Sequence, residues 1–327
     1  MSILKFKSPS RSRSNLISGL ISGLRLRASK LSVALLLVTI AATSQSANRS
    51  MASPASGSGT PGQSTQKATL KPAAAKAPDI PFNDFEVHSE AQLLALANQS
   101  RKQAGAPPLM LDAGLSQAAR IHALAMLEAN KLSHQFGGEL SLPLRLAATT
   151  DLQLDQEGEN VALDYDAAHG HAHLMLSPPH RANLLNPVYN VVGLGVVRNG
   201  DRLFIVQDFG HALPKYSPSE VKDRIAAALS QARHQIGQTD LQRRDLSTAD
   251  HAACSMAKAD KLGTSPVRQF AQRSTVLTYT SLHPETLPAE AAPALGSRTL
   301  HSFSVGACYG RTDTYPTGVY WIVLSLE

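Results

Sequence analysis

The chain has 327 residues, enough for a substantial core without staples, and its two cysteines exclude a disulfide framework and a cysteine-built zinc site. With 43% hydrophobic residues, 21 glycines and 19 prolines it is not a wholly disordered chain, and its length points to about two domains. The formal charge of +6 would suggest an acidic partner such as nucleic acid, but only if the cations were spread over the folded part.

They are not. Residues 1–47 hold seven cations, Lys5, Lys7, Arg11, Arg13, Arg25, Arg27 and Lys30, and no acid. An apolar run, Leu31–Ala42, and a small-residue exit, Thr43–Ala47, follow. A basic stretch, an apolar core of about a dozen residues and small residues describe a secretory signal peptide, cleaved after Ser44, Ser46 or Ala47. The run is short of the roughly 20 residues that a membrane span needs, so membrane contact is expected only through an uncleaved leader. Without the seven leader cations, 24 cations face 25 anions, and the nucleic-acid reading disappears. Export predicts a secreted or extracytoplasmic protein. Residues 48–80, rich in Ser, Ala, Gly, Pro and Thr, lack the apolar surface to offset ordering entropy and read as a disordered linker.

Globular composition begins near Phe82. Ser89 to Gly105 reads as a helix, with Ser89 as its N-cap. Leu115, Ala119, His122, Met126 and Ala129 recur at 4-3-4-3 spacing, the seam of a second helix ending near Leu132, with His122 as a core residue. Ala167–Met175 reads as a short third helix. Val191–Val197 and Leu203–Phe209 read as strands joined at Asn199-Gly200, a hairpin signal. Helices followed by a hairpin indicate α+β layers rather than βαβ units.

The second half echoes the first. Arg101 to Gly105 matches Arg233 to Gly237, and Leu109 matches Leu241. Leu115-Ser116 matches Leu246-Ser247, and Met126–Leu132 matches Met256–Leu262. Val192-Gly193-Leu194-Gly195 matches Val305-Gly306-Ala307-Cys308. Two copies of one α+β unit are therefore expected, at 83–213 and 214–327. Cys254 falls on a helix of the second copy and Cys308 on a strand. A helix covering the sheet would let them meet, and export permits the bond, so they are expected to form the one disulfide; two buried thiols are the other reading.

Three segments of the first copy carry candidate chemistry: Lys131–Phe136 with His134, Glu157–Ala162 with Glu159 and Asn160, and Ser177–Pro187 with Ser177 and His180. Two imidazoles and a carboxylate from three loops suit a metal site or an acid–base pair. His169, His171 and His173 form a second cluster. On a helix His169 and His173 share a face at i, i+4, a spacing able to hold a metal, the alternative being solvated or capping histidines. No Gly-x-Ser-x-Gly elbow, His-Glu-x-x-His motif or phosphate-cradling glycine loop occurs.

Taken in order, Asn98 and Arg101, His134, Gly158-Glu159-Asn160, Ser177-Pro178-Pro179-His180-Arg181-Ala182-Asn183 and Val192–Gly195 resemble the CAP superfamily. This family embraces cysteine-rich secretory proteins, antigen 5, pathogenesis-related proteins and a bacterial branch of SCP-like extracellular proteins. The resemblance spans about residues 88–210 and implies an α-β-α sandwich around a central antiparallel sheet; the second copy would be a degenerate one without the motifs. It implies a cavity holding His134, His180 and Glu159, with Asn160 and Ser177 beside them, and a divalent metal such as zinc on the two histidines; the sequence itself requires no cofactor. The family's other cavity acid falls at Ser177, so the tetrad is incomplete. Asp164 and Asp166 are candidate spatial substitutes without a motif to support them. With no nucleophile in this copy, no catalytic residue is assigned. The preferred reading is a secreted binding module for a small apolar or lipid ligand, or for an envelope glycan or protein. The alternatives are a metal-assisted peptidase, with His134 and His180 as ligands and Glu159 as general base, and a purely structural role.

Overall fold

The computed structural model describes residues 3–5, 85–263, 265–268 and 274–327. The leader, apart from Ile3–Lys5 (β1), and the linker at 48–80 lie outside the described residues. In chain order the first half contains α1 (Val87–Gln103), β2 (Met110–Leu111), α2 (Ala113–Glu128), α3 (Leu142–Thr149), β3 (Gln153–Asp164), α4 (Ala167–Leu176), α5 (Pro178–Leu185), β4 (Val191–Asn199) and β5 (Arg202–Leu213). The second half contains α6 (Pro218–Gln235), β6 (Gln242–Arg243), α7 (Ser247–Lys258), β7 (Thr275–Ser281), α8 (Ala292–Leu295), β8 (Ser302–Gly310) and β9 (Val319–Leu326).

The first sheet has the order β2-β4-β5-β3, with β4–β5 and β5–β3 antiparallel and β2 parallel to β4. Side chains alternate across it. Val192, Leu194, Val196, Leu203, Ile205 and Phe209 pack on one face with Leu93 and Ala97 of α1 and Leu174 of α4. Val197, Phe204 and Val206 pack on the other with Ala119, Ala123 and Met126 of α2. The result is the α-β-α sandwich that the resemblance implied. Strand period and helix seam each bury one apolar set, so the sheet's two faces take different helices.

The second sheet, β1-β7-β9-β8-β6, repeats this frame, with β1 added in parallel at its edge. β6 runs parallel to β8, and β8–β9 and β9–β7 are antiparallel, as β2, β4, β5 and β3 are in the first half. Local features repeat as well. Arg101 is buried and donates to the carbonyls of Pro107, Leu184, Asn186 and Tyr189. Arg233 is buried and donates to those of Thr239, Leu295 and Ser297. A Cβ at Gly193 would lie 2.0 Å from the backbone of Leu115, and one at Gly306 would lie 2.1 Å from that of Ala249. Only glycine allows the helix to sit this close to the strand.

That contact corrects one match. The sheet anchor pairs Leu115 with Ala249, not with Leu246. The helix ends still correspond at Asn130 and Asp260, both at positive φ (44° and 45°), so α7 is one turn shorter between anchor and end. The same alignment sets Cys308 where Gly195 stands and Cys254 where Arg120 stands. Cys254 and Cys308 are bonded, as expected, so the second half ties its helix to its sheet where the first half uses glycine.

Several boundaries differ from expectation. Helix α1 starts two residues before Ser89, with Glu86 as its N-cap. Helix α2 stops at Glu128 rather than near Leu132, because Asn130 adopts the left-handed conformation. The Glu157–Ala162 segment is no loop but part of β3, an edge strand whose apolar alternation is masked by Asp155, Glu157, Gly158 and Glu159. The Pro178-Pro179 segment begins α5, since proline is tolerated in a first helical turn.

Candidate functional site

Glu159 and Asp208 are directly paired across β3 and β5, and Asp208 is paired on its other side with Gly193. Their side chains therefore share the face that α2 covers. Three groups converge on Glu159 from that side. Arg145 of α3, buried, donates to Glu159 Oε2, to the His134 carbonyl at 3.3 Å, and pairs with Glu139 Oε1 at 3.4 Å. His134, from the segment after α2, sets Nδ1 2.8 Å from Glu159 Oε1. His122 of α2 is fully buried; its Nε2 donates to the Ser133 carbonyl at 2.8 Å and its Nδ1 lies 2.6 Å from Glu139 Oε1. Both oxygens of Glu159 are thus engaged, and Glu139 is bound to His122, Arg145 and the Phe136 N–H.

Asp208 has no donor on either oxygen and is fully buried. Its polar neighbour across the strand pair is Glu159, which can only accept. Burial, and then the charge of Glu159, push the Asp208 carboxyl well above its ordinary range. A proton retained on Asp208 and donated to Glu159 resolves both the missing donor and the like-charge contact.

His180 reaches the site from the opposite helical layer. Asn160, on the other face of β3, donates to the His180 carbonyl at 3.0 Å and accepts from Asn183 of α5 at 3.1 Å. Asn183 also donates to the Glu159 carbonyl at 3.2 Å. These bonds fasten α5 to the edge strand. The His180 ring then lies 6.5 Å, centroid to centroid, from that of His134, with planes tilted by 36°. Burial, and then the charge of His134, lower the His180 pKa, which favours the neutral, ligating form of imidazole.

The structure therefore brings His134, Glu159 and His180 together at the β3 edge and uses Asn160 as a support behind them. Ser177 is the junction of α4 and α5 and makes no side-chain cap bond. Asp164 and Asp166 do not complete the tetrad: they bind His173 and His169. Glu139, Arg145 and Asp208 escaped the sequence reading, and His122 is more than a core residue. The available signals were an arginine inside the apolar run Leu142–Leu146 and the polar pair Gln207-Asp208 interrupting the apolar strand Leu203–Phe209.

A shallow depression of about 560 Å³ lies elsewhere, lined by Asn98, Lys102 and Gly105–Pro108. Among the described residues, no group of three His, Cys, Asp or Glu side chains could hold a metal ion, and no helix is long and apolar enough to cross a membrane.

Residues 94–209 match the model of the cysteine-rich secretory protein family, CAP. The uncharacterized protein YkwD of Bacillus subtilis (strain 168) is 30% identical over 112 residues, which are 34% of this chain and 43% of that protein. The uncharacterized membrane protein YlbC of the same organism is 33% identical over 141 residues, 43% of this chain and 39% of that protein. The chain thus spans less than half the length of either relative. Among solved structures, an extracellular protein containing an SCP domain from Bacillus anthracis aligns at 28% identity over 38% of this chain and 41% of that one, with a TM-score of 0.35.

Proposed function

We propose that this chain, a member of the cysteine-rich secretory protein family through residues 94–209, is an extracytoplasmic binding module that takes a small apolar or lipid-like ligand at its His134–His180 edge. One observation carries the reading: exposed leucines flank both histidines in the chain. Leu132 precedes His134 by two residues, Leu140 and Leu144 follow it by six and ten, and Leu176, 79% exposed, precedes His180 by four. Exposed large apolar side chains close in the chain to convergent polar groups suit an amphipathic ligand.

A divalent metal fits the same edge. Glu159 fixes His134 through Nδ1 and leaves Nε2 outward, the arrangement in which a carboxylate orients a metal-bound imidazole. His180 would be the second ligand. Two imidazoles without a third ligand would leave open positions, so a bound zinc would supply a Lewis-acidic point for a ligand headgroup. The peptidase alternative is less well supported, because the Glu159 carboxylate is already held by Arg145 and His134 and is not free to take a proton from water.

The test uses the chain from residue 48 with a fluorescent fatty acid and, separately, with Zn²⁺. Saturable fatty-acid binding is expected, weakened at least tenfold when Leu132, Leu140, Leu144 and Leu176 are changed to Ser. Zinc uptake is expected to fall by one equivalent in His134→Ala/His180→Ala. Fatty-acid binding indifferent to the leucines would overturn the ligand class; zinc uptake indifferent to the histidines would overturn the metal.

A further inference from the structure

Helix α4 carries three histidines, and the structure gives them different environments. His171 is buried against α1, its Nε2 2.9 Å from Ser100 Oγ. His169 and His173 lie on another face, each with a side chain 64% exposed. Four residues apart on one helix, they are neighbours, with Cβ atoms about 5–6 Å apart.

Each ring is oriented by its own carboxylate. His169 Nδ1 lies 2.9 Å from Oδ2 of Asp166, the α4 N-cap, whose Oδ1 also accepts the His169 backbone N–H at 2.8 Å. His173 Nδ1 lies 2.5 Å from Oδ2 of Asp164, a buried residue at the end of β3. Nδ1–H therefore points into a carboxylate on both rings, and the Nε2 lone pair of each is left for something outside. A carboxylate behind Nδ1 fixes the tautomer and raises the basicity of the other nitrogen, the usual setting of a metal-bound imidazole. Two histidines at i, i+4 on one helix face are also the spacing by which helices chelate zinc.

We propose that His169 and His173 form a divalent transition-metal site of their own, chelating Cu²⁺, Ni²⁺ or Zn²⁺ through their two Nε2 atoms, with water in the remaining positions. The site is separate from the His134–His180 edge. Asp164 is five residues from Glu159 along β3, about 16 Å at strand rise. The reading does not depend on any ligand at that edge. Imidazole donors with water suit borderline ions rather than Ca²⁺ or Mg²⁺.

The experiment removes the other histidine pair first. The full chain carrying His134→Ala/His180→Ala is titrated with Cu²⁺ and followed by calorimetry and electron paramagnetic resonance. One equivalent with nitrogen hyperfine structure from two imidazoles is expected. Adding His169→Ala or His173→Ala singly should weaken it at least tenfold, because a chelate loses its second arm. Asp166→Asn keeps a good N-cap but removes the charge behind His169, and should weaken uptake roughly ten- to hundredfold. The His169 ring and its Asp166 partner are both exposed, so thermal melting should not move in His169→Ala or Asp166→Asn, which separates site loss from unfolding; His173→Ala also takes a partner from the buried Asp164 and is read against its own melt. Uptake unchanged by His169→Ala/His173→Ala overturns the site, and uptake indifferent to Asp166→Asn overturns the carboxylate-oriented geometry.

Discussion

The two halves of the chain share one frame and differ in what is mounted on it. Strand order, parallel and antiparallel pairings, the buried arginine in the last turn of the first helix, and the glycine that admits the second helix all recur. The register then locates what changed. Gly193 pairs with Asp208, which pairs with Glu159; Gly306 pairs with Val323, which pairs with Thr278. Where the first half sets two carboxylates, the second sets Val323 and Thr278. The segment bearing His134, Glu139 and α3, residues 129–152, corresponds to the shorter 259–274. The segment bearing α4 and α5, residues 165–190, corresponds to 282–301, whose one α-helix is the four-residue α8. The chemistry of the first half thus depends on two strand positions and two inserted segments, while the sheet and its covering helices need neither. Fold and site are separable layers of the sequence.

The largest effect should come from the charge at the centre of that difference. Arg145 stands between Glu139 and Glu159, with all three side chains largely buried. Arg145→Met should cost about 3–5 kcal/mol in urea unfolding, because it leaves two buried carboxylates without their cation. Thr278→Glu should be similarly damaging in the second half, which has a carboxylate's place on the strand but no Arg145. A loss below about 1 kcal/mol at Arg145 would mean that the first half does not need its ion network to fold.

Next comes the device that only the second half possesses. Cys254 and Cys308 close a loop of 54 residues, and removing the bond by a double Ala substitution should cost about 4 kcal/mol on loop-closure entropy. The measurement is the urea midpoint of the second half, read by Trp321, the chain's one tryptophan, which is buried in the same core cluster as Met256 and Val323. A midpoint unmoved by the double substitution would show that the shortened α7 is held to its sheet by packing alone.

A smaller, paired effect tests the repeat itself. Lysine at position 101 or 233 keeps the charge but cannot reach several carbonyls at once as guanidinium does. Each substitution should cost about 1–3 kcal/mol from buried carbonyls left without donors, and the two costs should be alike. Strongly unequal costs would mean that the arginines share a position without sharing a role.

The sequence showed the repeat through Arg101 and Arg233 and through the glycines of the hairpins, because those residues answer to backbone geometry. It showed His134, Glu159 and His180 through local motifs. It hid β3, since a strand exposed at its edge carries polar residues on both faces and loses its period of two. It hid Glu139, Arg145 and Asp208 because their meaning arises only when α3, β5 and the segment after α2 meet at Glu159, a coincidence of elements up to 69 residues apart in the chain. The one-turn shortening of α7 was equally hidden, since the Leu-Ser pairs at 115 and 246 match in letters while the backbone contact to glycine falls three residues later.

The smallest predicted effect isolates one proton. Folding raises the pKa of Asp208 above its ordinary 3.8, so the folded chain keeps a proton that the unfolded chain releases once the pH exceeds about 4. Stability from this group is complete below that pH and falls as pH rises toward the folded value. An asparagine side chain in its place would not titrate, and its amide could donate to Glu159 as the protonated acid does. Asp208→Asn should therefore leave the melting temperature near that of the parent at pH 4 and raise it progressively toward pH 7. Val323, at the matching place in the second half, carries no proton, so this slope should belong to the first half alone. A difference in melting temperature that stays constant between pH 4 and pH 7 would mean that Asp208 is ionised in the folded chain, with Arg145, which also acts on its charge, as the cation that offsets the carboxyl pair.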